Sequence, residues 1–151
     1  MFYYYIKPMK TITSILIFVL LMSAGLFAGE KLEFDPDLAF AQVKFVKAVQ
    51  SSNSSWSFYV TVRHNDEGWN HYANSWEVID PDTEEIFTER ILAHPHETEQ
   101  PFTRSQSRII LPEGQRYVLV RAKCQLHGFE GEAVLVDMET EEGDNFRVIS
   151  K

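Results

Sequence analysis

The chain has 151 residues, 44% of them hydrophobic and 13% aromatic, which is enough apolar material for one domain with its own core and excludes a disordered protein. Acidic residues outnumber basic ones by 22 to 14, so the basic stripe that a phosphate backbone requires is missing and nucleic acid is excluded as a partner. With Cys124 as the single cysteine, an internal disulfide is excluded too, and stability must come from the core or from a bound ion.

In chain order, Lys7 and Lys10 precede an apolar run from Ile12 to Phe27, with small residues at Ala24-Gly25 and Ala28-Gly29. A run of roughly 16 residues is short for a membrane span, which needs about 20. The pattern predicts a signal peptide over residues 1–28, removed after Ala28; an uncleaved membrane anchor is the alternative. Met9-Lys10 is itself a complete signal-peptide beginning, so Met9 is a second candidate start. No cysteine lies near the cleavage region, which argues against a lipid anchor. Export with a single thiol points to a bacterial periplasmic or secreted protein.

Residues 29–39 are polar, carry Pro36, and read as a lead-in to the domain at 40–138. Ala41 to Val49 alternates in part, and Gln50 to Ser55 is a turn-rich linker. From Trp56 to Arg63 the alternation is clear, with Trp56, Phe58, Val60 and Val62 on the core-facing side. His64 to Asn74 is a loop, Ser75 to Ile79 a strand, and Asp80-Pro81-Asp82-Thr83 a turn set by proline and its flanking aspartates. Glu85 to Leu92 returns as the hairpin partner. A histidine loop follows at Ala93 to Arg104, then strands at Ser105 to Leu111 and Arg116 to Lys123 around the turn Pro112-Glu113-Gly114-Gln115. Gln125 to Gly131 is a loop and Glu132 to Met138 the last strand. Residues 139–151 read as an acidic C-terminal tail, in which Phe146 to Ile149 is either a short edge segment or a free end. Seven short strands without a helical period predict an all-β immunoglobulin- or fibronectin-III-like antiparallel β-sandwich.

If those strands rise and fall in turn, parity brings all five histidines to one end. His64 and His71 follow one rising strand, His94 and His96 the next, and His127 the third, whereas the opposite end has short turns without histidine. Three stretches also carry a likeness: Val62-Arg63-His64-Asn65-Asp66-Glu67-Gly68-Trp69-Asn70-His71-Tyr72, His94-Pro95-His96-Glu97-Thr98-Glu99-Gln100-Pro101-Phe102-Thr103-Arg104-Ser105, and His127-Gly128-Phe129. From about Trp56 to Met138 the chain resembles a family of small uncharacterised bacterial exported proteins. The resemblance implies that these loops form one unit and brings no activity with it.

The chemistry such an end offers is a zinc or copper site, because imidazole is the commonest ligand for both. His64, His71, His94, His96 and His127 are the candidate ligands. Asp66, Glu67, Glu97 and Glu99 are candidate oxygen ligands or acceptors that orient an imidazole N–H. Arg104 is expected to pair with Asp66 or Glu99 and pin the loops. Cys124 has the parity of a buried residue, with a copper-thiolate role as its alternative. A second function class is a sugar- or peptide-binding module, or one with a protein partner in the envelope, in which the histidines only order the loops. No G-x-S-x-G, H-E-x-x-H or spaced Ser-His-Asp pattern is visible, so catalysis is not expected, metal-assisted hydrolysis being the remaining enzymatic option.

Overall fold

The side chains that alternate in sequence alternate in burial. In β2 (Trp56–Arg63) Trp56, Phe58, Val60 and Val62 are buried and their neighbours lie outward, and in β6 (Tyr117–Cys124) Val118, Val120, Ala122 and Cys124 are buried. The computed structural model describes residues 36–151, so the leader at 1–28 and the lead-in up to residue 35 lie outside the described residues. A 3-10 turn at Pro36–Ala39 precedes β1 (Gln42–Gln50). Then come β2, β3 (Ala73–Ile79), β4 (Ile86–Ile91), β5 (Phe102–Ile109), β6, β7 (Val134–Asp137), β8 (Glu142–Gly143) and β9 (Phe146–Ile149).

One sheet runs β5-β2-β1-β9-β8 and the other β4-β3-β6-β7. They form an all-β, two-layer sandwich. Its core comes from inward residues of both layers, with Val46, Phe58, Val60 and Val62 from the first and Trp76, Val78, Val118, Val120 and Val136 from the second. Each large apolar side chain so buried stabilises the fold by about 1.5–3 kcal/mol. Among the described residues no helix is long and apolar enough to cross a membrane.

Two features differ from the sequence expectation. β5 begins at Phe102, three residues before the predicted strand, because Phe102 is buried opposite Val62 and the hydroxyls of Thr61 and Thr103 meet at 2.8 Å across the pair. The loop therefore closes at Pro101. Residues 142–149 fall in the stretch that reads in sequence as an acidic tail, with Phe146 to Ile149 as a short edge segment or a free end; they belong to the larger sheet, with β9 inside it rather than at its edge. β9 pairs in parallel with β1 from Val46↔Phe146 to Val49↔Ile149, with Val148 buried, and β8 pairs with β9. A four-residue strand has too few alternations to stand out beside so many charges. Among the described residues the sandwich thus has nine strands, and one of its pairs is parallel.

Strand direction sets the functional end. β2 runs out at His64, β3 starts at Ala73, and Ala73 pairs with Cys124 at the exit of β6. The amide of Asn65 donates to Leu38 O at 2.9 Å, which lashes the segment ahead of β1 across the same end.

Candidate metal centre

The loop after β2 turns back on itself. Gly68 takes a φ of +96°, open to glycine at little cost, while the Glu67 amide donates to His71 O at 2.9 Å and the His71 amide to Gly68 O at 3.2 Å. His71 is thereby returned to His64, with ring centres 4.8 Å apart and planes at 88°. His127, three residues beyond Cys124, brings its ring to 5.0 Å from that of His71.

All three rings aim a nitrogen at one atom. His64 Nε2 lies 3.1 Å, His71 Nε2 3.2 Å and His127 Nδ1 3.0 Å from the main-chain oxygen of Ala39. Cys124 Sγ is 3.6 Å from the same His127 nitrogen. Donor atoms of His64, His71 and Cys124 lie within 4.8 Å of one another, and together these residues could hold a metal ion.

The opposite ring nitrogens face carboxylates. His64 Nδ1 is 2.6 Å from Asp66 Oδ1, and His71 Nδ1 is 2.6 Å from Glu67 Oε2. A carboxylate oxygen accepts, so the hydrogens are assigned to Nδ1, and each Nε2 of a neutral ring is left with a lone pair. Those lone pairs point at a carbonyl oxygen, which is also an acceptor. Three ring nitrogens thus crowd one carbonyl oxygen, which has two lone pairs.

Asp66 is the brace of the site. Its side chain is fully buried; burial pushes its carboxyl upward, but His64 and the amides of His96 and Ala73, at 2.6 and 3.1 Å, outweigh this and hold it below the ordinary carboxylate range. Gln100 completes the support, accepting from the His64 amide at 3.0 Å through Oε1 and donating to His96 O at 3.1 Å through Nε2. The His94–Arg104 stretch thus supports His64 from behind.

His94 and His96 stand in a different setting. His96 is buried and stacked on Phe102 with ring centres 3.8 Å apart, and burial, reinforced by Arg104 and then His94, lowers its pKa. Its Nδ1 has no hydrogen-bond partner. His94 is exposed, its Nδ1 3.0 Å from Pro95 O and its ring centre 4.5 Å from that of His96. Of the other candidates, Glu67 and Asp66 orient imidazoles, Glu99 receives Arg104 Nη2 at 2.7 Å, and Glu97 is exposed. Sequence reasoning did not find Ala39, and no sequence signal marks a main-chain carbonyl as a donor. Cys124 was legible as a buried position on the face of Val118, Val120 and Ala122, with a copper-thiolate role as its alternative.

No family model matches the chain, and no solved structure matches it. A protein of Halomicrobium mukohataei described as "Putative lipoprotein" is 38% identical over 108 residues, 69% of this chain and 50% of that protein. The chain therefore spans about half the length of the curated relative it matches.

Proposed function

We propose that this is an exported metal-binding protein whose ion, zinc or copper, is held by His64 Nε2, His71 Nε2 and Cys124 Sγ, with the Ala39 carbonyl and His127 Nδ1 beside them. The observation that carries the reading is the set of three imidazole nitrogens 3.0–3.2 Å from one carbonyl oxygen, two of them backed by carboxylates. Carboxylate-imidazole-metal chains of this kind fix the ring tautomer and raise the basicity of the ligating nitrogen. His94 and His96 are outside this ligand set, since one is exposed and the other is stacked on Phe102.

Export rests on the leader pattern at 1–28 and agrees with the description of the relative. Lipid attachment is said of the relative alone. The test is elemental analysis of the untagged protein, purified as its own host processes it. About one equivalent of copper or zinc is expected, lost in His64→Ala and His71→Ala and kept in His94→Ala. Loss in His94→Ala with retention in His64→Ala would overturn the assignment.

A further inference from the structure

We infer that the site, loaded with copper, is a one-electron carrier. The inference rests on the metal-binding reading and adds to it the identity of the working ion and the reaction. Two features of the donor set separate carrier from catalyst. A catalytic centre keeps one position open for water or substrate, whereas here the donor group of His64, His71 and Cys124 is backed by the Ala39 oxygen, 3.1 and 3.2 Å from the two imidazole nitrogens. Imidazoles and one thiolate around copper, with a weak main-chain oxygen on the axis, are the donor types of electron-transfer copper.

The surroundings suit that reaction. His64 and Cys124 are 1% and 0% exposed, and Asp66, Gln100 and the strand ends fix the rings, so both oxidation states must use one arrangement. Access is on the side of His71, which keeps 15% of its side chain exposed, and of the partly buried His127, which has the ring of Phe40 edge-on at 5.2 Å. In the proposed step, cupric ion bound to the Cys124 thiolate takes one electron from an outer-sphere one-electron reductant and becomes cuprous. No bond to the protein forms or breaks, and no proton moves. The reverse step returns the electron to a one-electron oxidant.

The experiment adds cupric ion to the full protein as purified from its host and stripped of metal, reduces it with ascorbate, and reoxidises it with ferricyanide. An intense visible thiolate-to-copper charge-transfer band is expected, bleached and restored over repeated cycles with copper retained. Cys124→Ser, with an unchanged far-ultraviolet spectrum, should keep copper on its imidazoles and lose the band. Copper bound without the band, a band that does not return, or a band that persists in Cys124→Ser overturns the carrier while leaving the metal-binding reading standing. Failure of the parent protein to retain copper or zinc overturns both.

Discussion

His64 and His96 show how neighbours decide what an imidazole does. Both are buried and both touch Asp66, His64 through its ring and His96 through its backbone amide. The ring of the first is aimed at Ala39 O; that of the second lies flat on Phe102. Replacing Asp66 with Asn should lower metal affinity about 10- to 100-fold, the usual effect of removing a carboxylate behind a ligating imidazole, as titration calorimetry would read. His96→Phe should instead preserve affinity, because it keeps the stack and deletes a buried nitrogen that makes no hydrogen bond. It should also alter acid stability in a defined sense. The pKa of His96 is lowered on folding, so the unfolded chain takes up the proton first. Its contribution is complete above an unfolded value of about 6.5 and erodes as the pH falls below it. Denaturant melts of metal-free protein at pH 7 and pH 5 should therefore differ less in His96→Phe than in the parent.

Among the elements, the two ends of the sandwich are built differently. At the end away from the site, the Asp80 carboxylate accepts from the amides of Thr83 and Asp82, both at 2.8 Å, and from Gln115 Nε2 at 2.9 Å, tying the β3–β4 turn to the β5–β6 turn. The Thr83 amide first, then Gln115 and the Asp82 amide, hold this carboxyl below its ordinary range. A lowered carboxyl contributes stability above its unfolded value of about 3.9 that is lost as the pH falls through the folded one. Asp80→Ala should thus melt earlier than the parent at pH 7, with the gap narrowing below about pH 4. At the site end, Gly131 touches the strap that carries Ala39, and a Cβ there would lie 1.9 Å from Ala41 O. Gly131→Ala must displace one backbone or the other. It should cost about 1–3 kcal/mol, as overpacking does, and weaken metal binding as well, which a stability curve paired with a metal titration would show. A loss of stability with affinity unchanged would mean that the strap does not set the position of Ala39.

For the whole molecule, an ion joining the strap, the β2–β3 loop and the exit of β6 binds only the folded chain. Stability should accordingly rise by about 2.7 kcal/mol at a free metal concentration 100 times the dissociation constant, seen as a melting temperature that climbs with metal and returns with chelator. A melting temperature indifferent to both would remove the ion from the fold.

What residue order alone determined follows from periodicity. Alternation in β2 and β6 announced a sandwich, and strand parity placed His64, His71 and His127 at one end, because side chains of a strand alternate whatever the strand packs against. Order along the chain could not decide which imidazoles share a point. The H-x-H pair was the most conspicuous feature in the sequence, yet the ring of His96 is stacked on Phe102 and that of His94 is exposed, while a main-chain oxygen from the lead-in gathers three others. Nor could it show that residues 142–149 complete a sheet whose partner strand begins a hundred residues earlier. Both outcomes depend on contacts between distant segments, where burial and hydrogen-bond capacity are settled by what the fold brings alongside.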